Sequence, residues 1–385
     1  MNRIDANPAV LRWARERAGL GCDDLQDRFP KLADWEAGLA RPTFRQLENF
    51  AKVTRTPFGF LFLSEPPQMR LPLADFRTIR NRRPRAVSPE LIDTIYLMQR
   101  RQAWLRQERI DGEVEPLDFV GAARLTDDPA ATGQRMRYKL GFTDVWANQV
   151  PSWQAAVGAL RARIENIGVM AVINGIVGNN TRRKLDEREF RGFALSDPYA
   201  PLIFVNGADA KSAQMFTLAH EFAHLWLGDA GEGLSGFDRL QPGDGAVERF
   251  CDQAAAEFLA PAAEIRRMGC EVGDSDVVFD KLARRFKVSP IVIGRRMLDL
   301  GLIERTRFFV LYERYTQDER RKTHTKTGGG DFYNTQGNRV GKLFASYVIT
   351  AAKEGRIGFK QAHDLCGLHG GAFQTYARKL GFRMP

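Results

Sequence analysis

Cysteine is scarce. Four occur in 385 residues, at positions 22, 251, 270 and 366, and none belongs to a CxxC pair. That spacing excludes a disulfide framework and a thiolate zinc site, and it suits a reducing compartment. Long apolar runs are missing too: no stretch approaches the roughly eighteen uninterrupted apolar residues that a membrane span needs. The first residues, MNRIDANPAVLRWARERAGL, carry scattered charges and lack the apolar centre and small-residue cleavage site of a secretory signal. The expected location is therefore the cytoplasm, with no membrane partner. No repeat of solenoid type occurs. Histidine is also sparse, with five in the chain, so any two at a metal-ligand spacing carry information.

Positive charge, by contrast, is in excess. Lys and Arg number 57 against 47 Asp and Glu, a net charge of +10. Clustered cations favour polyanions or acidic partners, although a solvated basic surface gives the same count. Hydrophobic residues at 44% and charged residues at 27% are ordinary for globular domains. The length exceeds what one hydrophobic core usually fills, so two or three domains are expected.

The first segment has the texture of short helices: NPAVLRWARERAGL, DDLQDRF, PKLADWEAG, and TFRQLENFAKVT with Thr43 as its cap. Residues Gly19, Leu20, Leu25, Trp35-Glu36-Ala37-Gly38, Arg41-Pro42-Thr43 and Leu47 resemble the XRE (Cro/C1-type) helix-turn-helix family. Between Leu25 and Glu36 this chain has about one helical turn less than that family, in the region of the turn and the recognition helix. Two readings of the module stay open. If it contacts DNA, Lys31, Arg41 and Arg45 are the cations that should face the duplex; otherwise it serves packing or protein contact. The following stretch, SEPPQMRLPLADFRTIRNRRPRAVSPE, reads as a linker, and its Arg77, Arg80, Arg82 and Arg83 either grip phosphate or an acidic face, or are simply solvated. ELIDTIYLMQRRQAWLRQERI has helical periodicity and should pack across the next domain.

Helical patterns continue through FVGAARLT, AATGQRMRYKLG and SWQAAVGALRARIENI. Then GVMAVINGIV, FRGFALSD and PLIFVNG, short and bounded by turn residues, predict a small, mostly antiparallel sheet. The helix SAQMFTLAHEFAHLWLG follows. It contains His220-Glu221-Phe222-Ala223-His224, the HExxH pattern, whose spacing sets both imidazoles on one helix face with Glu221 beside the open coordination position. That arrangement suits Zn2+ with Glu221 as the base for a water. A third ligand is needed, and VERFCDQAAAEFLAP holds two candidates, Glu248 and Glu257. At about 100° per residue they lie on opposite helix faces, so only one of them can meet the metal.

Residues from about 168 to 262 resemble the ImmA/IrrE metallopeptidase family, through HExxH and a helix reading Glu248, Cys251, Asp252, Ala255, Ala256, Leu259, Pro261. The resemblance implies that Glu248 is the third zinc ligand. It also implies a cytoplasmic zinc endopeptidase whose substrate is a helix-turn-helix repressor, in a stress or mobile-element response, with a toxin–antitoxin or mobile-element partner also compatible. Asp252 stands where the family usually carries Asn, one turn beyond Glu248, and is the candidate to orient His220 or His224. The rival reading is a DNA-binding regulator or antitoxin-like protein with a structural zinc and no peptidase activity.

The fold expected is thus α+β, a zincin-like domain flanked by helical helix-turn-helix-type domains. Its parts would be an XRE-like module at 1–63, a Pro/Arg-rich linker at 64–90 and a zinc metallopeptidase domain at 91–265. A helical C-terminal domain of winged-helix type would occupy 266–385, where DVVFDKLARRFKVSPIVIGRRMLDLGLI reads as helix, turn, helix. DNA contact by the first module predicts an affinity for duplex that falls steeply and log-linearly with added salt; a titration without slope would assign Lys31, Arg41 and Arg45 to packing or protein contact.

Overall fold

Asn7 begins the first helix, α1 (Pro8–Arg17), by accepting the backbone N–H of Ala9, with Pro8 in the first turn where its missing donor has no intrahelical role. The computed structural model describes residues 3–67, 87–228, 245–272, 277–317 and 332–383. After α1 come α2 (Leu32–Glu36) and α3 (Phe44–Thr54), the latter opened by a capping box between Thr43 and Gln46. Together with a 3₁₀ turn at Phe58–Phe62 they close on an apolar cluster of their own, in which Val10, Leu11, Leu47, Phe50 and Leu61 are fully buried. The helix expected in DDLQDRF contracts to one 3₁₀ turn, Asp23–Leu25. Asp24 turns back to accept the Gly21 N–H at 2.7 Å, a local bond that competes with helix formation, and Pro30 bars extension.

The remaining helices are α4 (Pro89–Asp111), α5 (Pro129–Lys139) and α6 (Trp153–Asn166), then α7 (Lys211–Leu227), α8 (Gly245–Leu259), α9 (Ala262–Val272), α10 (Val277–Phe286), α11 (Pro290–Asp299) and α12 (Arg305–Gln317), followed by α13 (Phe332–Val340), α14 (Lys342–Lys353), α15 (Phe359–Cys366) and α16 (Gly371–Lys379). Five strands stand between α6 and α7: β1 (Met170–Asn174), β2 (Ile176–Val177), β3 (Asn180–Lys184), β4 (Gly192–Leu195) and β5 (Leu202–Asn206). The run GVMAVINGIV, expected as one strand, breaks at Gly175, where a side chain would come within 2.9 Å of the Ala208 backbone nitrogen. β3, polar and largely exposed, carries no apolar alternation and was not foreseen. Among the described residues no helix is long and apolar enough to cross a membrane.

The central sheet has the order β1-β5-β4, with β1 parallel and β4 antiparallel to β5, while β2 and β3 form a separate antiparallel pair. A mostly antiparallel sheet was expected, and two of the three pairings among the described residues are antiparallel; the longest, β1 with β5, is parallel, because the short connection that folds β4 back on β5 leaves β1 to pair on β5's other edge. Asp197 holds that connection by accepting the N–H groups of Tyr199 and Ala200.

Alternation along β1 and β5 divides the core in two. Ala171, Ile173, Ile203 and Val205 face one cluster, and Met170, Val172, Leu202 and Phe204 face the other, as successive strand side chains must. The first cluster draws on α5 to α12, including Leu218 and Phe222 of α7, Phe258 of α8, Phe279 of α10 and Met297 of α11, and on Phe119 and Ala123 ahead of α5. The second is supplied by α4 and by α14 to α16, through Leu91, Ile95, Phe344, Val348 and Phe373. α4 lies across the domain as expected, and Arg101 at its middle donates to the carbonyls of Leu365 and Arg339, each at 3.0 Å.

Residues 266–385 therefore do not form the separate C-terminal domain expected from their helical texture: their first half completes one face of the sheet's core and their second half the other. Helix, turn, helix is present at α10 and α11, with Lys287 in the left-handed region at φ 54 between them, but a third helix, α12, follows where a wing would require strands. FVGAARLT, expected as a helix, is irregular. It instead donates the Gly121 and Ala123 N–H groups to the carbonyls of Leu225 and Trp226, satisfying acceptors that the end of α7 would leave open.

α8 is held by close approach and by charge. Gly133 lets α5 close on it, since a Cβ there would lie 2.5 Å from the Ala254 oxygen. Near its end, buried Glu257 pairs with Arg296 and lies 3.9 Å from Arg137, while the two arginines donate to the carbonyls of Ala260, Glu257 and Phe258. Glu257→Ala leaves buried Arg296 without its carboxylate, Arg137 keeping Asp144 at 2.9 Å, and should destabilise the fold by about 3–5 kcal/mol in denaturant titration, while bound metal measured by mass spectrometry stays stoichiometric.

Candidate metal centre

α7 is apolar on most of its surface because both flanks are covered: Leu218, Phe222 and Leu225 are buried in the core shared with α8, and Thr217 meets β4. Two imidazoles in such a helix need polar partners, since burial of an unpaired ring nitrogen is costly. His220 and His224, one turn apart, find each other and Glu248. Their Nε2 atoms are 3.0 Å apart. Glu248, in the first turn of α8, brings Oε1 to 3.1 Å from His224 Nε2 and Oε2 to 3.5 Å from His220 Nε2. Ligand atoms at roughly 2.0 Å from a tetrahedral ion stand about 3.3 Å apart, so these three edges fit one divalent cation held by two nitrogens and a carboxylate. Among the described residues this is the one cluster of three such donors close enough to share an ion.

Asp252 follows one turn after Glu248, and its Oδ1 lies 3.2 Å from Nδ1 of His220. The carboxylate thus stands behind His220, at the ring nitrogen opposite the cluster. The approach misses hydrogen-bond alignment, and Nδ1 is buried. Phe216 lies over the same ring, centroids 6.2 Å apart, so the orientation of His220 is constrained on its face and at its rear. Glu257, the alternative ligand, is turned away from the cluster and committed to the arginines at the end of α8.

Glu221 is buried at 6% exposure. Its Oε1 rests against the edge strand, 3.2 Å from where a Cβ on Gly192 would stand. At this position the strand is half used: Arg191 accepts the Asn206 N–H at 2.7 Å, and in the antiparallel alternation the next residue, Gly192, turns its own N–H and C=O away from β5. Sequence reasoning passed over Gly192, although a glycine inside the strand pattern FRGFALSD signals close approach of another group.

The other residues singled out from the sequence are elsewhere. Lys31, Arg41 and Arg45 are exposed on the N-terminal module, with Arg41 3.3 Å from Asp5. The helix between them, α2, has five residues and turns Leu32, Trp35 and Glu36 inward, Glu36 receiving two bonds from Arg15 at 2.7 and 2.9 Å. Arg77, Arg80, Arg82 and Arg83 lie outside the described residues. Cys251 is buried in the core between Glu248 and the rest of α8, and burial pushes the Cys366 thiol up to about 12, which makes it a packing residue rather than a reactive one.

Residues 165–298 match the peptidase M78 family, described as the IrrE N-terminal-like domain, and residues 340–379 match a domain of unknown function, DUF8813. The first match runs from the end of α6 into α11 and contains all three donors. The radiation response metalloprotease IrrE of Deinococcus radiodurans is 33% identical over 96 residues, 24% of this chain and 29% of that protein. The similarity thus spans less than a third of either chain. It agrees with a metallopeptidase domain built around the HExxH helix.

Removing Asp252 frees the rear of one metal-facing ring. Asp252→Ala is expected to weaken metal affinity by roughly 10–100-fold in chelator competition, with the fold intact by circular dichroism.

Proposed function

We propose that the chain is a zinc-dependent endopeptidase that cleaves a regulatory protein, in the first instance a helix-turn-helix repressor. The observation that carries this reading is the convergence of His220, His224 and Glu248 within one ion's reach, with the carboxylate of Glu221 on the next residue of the same helix and against the sheet edge. The match of residues 165–298 to a peptidase family supports it.

The two histidines and Glu248 would hold the ion. When bound, it supplies a Lewis acid that lowers the pKa of a water and polarises a peptide carbonyl. Glu221 removes a proton from that water as its oxygen attacks the carbonyl carbon, and returns the proton to the departing amine nitrogen, so one O–H and one C–N bond are exchanged for a C–O and an N–H bond. Asp252 behind His220 restrains that ring in the tautomer whose Nε2 can face the metal. An extended chain suits the site, because the backbone groups of Gly192 directed away from β5 can pair with a strand laid along that edge. The N-terminal module, with its own core and exposed Lys31, Arg41 and Arg45, is read as the part that docks the substrate protein or DNA. Its shortened α2 favours protein contact over base reading.

Glu221→Gln tests the reading. It should retain stoichiometric zinc and lose at least about a hundredfold in cleavage of the target, with the uncut repressor accumulating in proteomic comparison of cells carrying the two forms. Regulation preserved by Glu221→Gln would instead identify a metal-stabilised regulator without peptidase activity.

A further inference from the structure

Resting on the peptidase reading of the same centre, we propose that Gly192 is a positioning residue for the Glu221 carboxylate. Neither of the usual reasons for a strand glycine applies: Gly192 is not among the residues at positive φ, and it sits in regular antiparallel register opposite Val205. What its bare backbone provides is space. A Cβ at this position would stand 2.6 Å from Cγ2 of Thr217, 2.7 Å from the Phe204 carbonyl oxygen and 3.2 Å from Oε1 of Glu221.

Those three atoms come from two elements. Thr217 and Glu221 are one turn apart on α7 and face the strand together, while Phe204 belongs to β5. Any side chain at 192 therefore acts on the base in two ways. It presses directly on the carboxylate, whose contact is already tighter than ordinary van der Waals separation. It also pushes the Thr217 turn of α7 off the sheet, and Glu221 travels with that turn. His220, by contrast, meets Glu248 and Asp252 on α8. A Cβ at 192 would thus touch the base directly, whereas no atom of either histidine is among the three it would meet most closely, and both feel it chiefly through the helix they share with Thr217. Catalytic groups tolerate displacement poorly, since a misplacement of about 1 Å can cost roughly a hundredfold in rate.

The test compares the full-length protein, Gly192→Ala and the double variant Gly192→Ala/Thr217→Ala, each loaded with zinc. The second substitution removes the methyl that meets the new Cβ at 2.6 Å and leaves the contact with Glu221 in place. In Gly192→Ala, zinc affinity by chelator competition should stay within about threefold of the unaltered protein, while kcat on a quenched-fluorescence peptide falls roughly ten- to a hundredfold with KM little changed. The double variant should regain part of the lost Tm, the Phe204 carbonyl still meeting the new Cβ at 2.7 Å, without regaining kcat. A Gly192→Ala enzyme with unaltered kcat overturns the proposal, as does recovery of kcat together with Tm in the double variant, which would reduce the glycine to helix packing. If the unaltered zinc-loaded protein cleaves nothing, the peptidase reading has failed on its own. Crystal structures of the protein and of Gly192→Ala then decide the positioning: a Glu221 carboxylate that moves by less than about 0.5 Å relative to the two histidine nitrogens overturns it.

Discussion

Helix α7 is caught between the sheet and α8, and the register of that second contact turns a pair of histidines into a candidate metal centre. Imidazoles one turn apart on a buried helix could line a core; Glu248 at 3.1 and 3.5 Å from their facing nitrogens gives them a common purpose. A helix rotates its side chains by about 100° per residue, so α8 must be locked against rotation for the carboxylate to arrive. The lock is the close approach of Gly133 on α5, while the ion pair of Glu257 with Arg296 ties the far end of α8 to the rest of the fold. Two glutamates on one helix thus divide the work by face, one for the ion and one for the fold.

The same helix meets the sheet on its other flank, and there the constraint is steric. Gly192 admits Thr217 and Glu221 to the edge strand. The proposed metal ligands thus meet α8 while Glu221, the proposed base, meets the sheet.

Support for this geometry extends well beyond the HExxH neighbourhood. Parallel pairing of β1 with β5 leaves both strands fully buried, which demands helices on both faces. The first face is covered by α6, α7 and helices as far along the chain as α12; the second is covered by α4 and the last three helices. The stretch 340–379, which matches a domain of unknown function, is in this chain part of the wall behind the sheet against which Glu221 rests. The N-terminal module stands apart in that its apolar residues form a cluster of their own. It also reaches the body through charge, Arg55 of the module and Arg183 of β3 both meeting Glu90 in the first turn of α4.

Local spacing determined much of this protein. HExxH set two nitrogens on one face because helical periodicity alone brings residues four apart together, and the opposite facing of Glu248 and Glu257 followed from the same periodicity. The brevity of the elements between Leu25 and Glu36 was legible too, since so few residues leave room for little more than one helical turn. Other features required the folded chain. The parallel pairing of β1 and β5 depends on which edge β1 finds, and FVGAARLT could become a helix until the open carbonyls of α7 claimed its N–H groups. The helices after 265 have ordinary amphipathic patterns, which say that one face is buried but not against what; only the sheet's two faces divided them. Asp252 behind His220, and Glu221 against Gly192, are contacts between elements distant in sequence. Packing chose those partners, because a side chain's reach is set by its own helix and its neighbour by the tertiary fold.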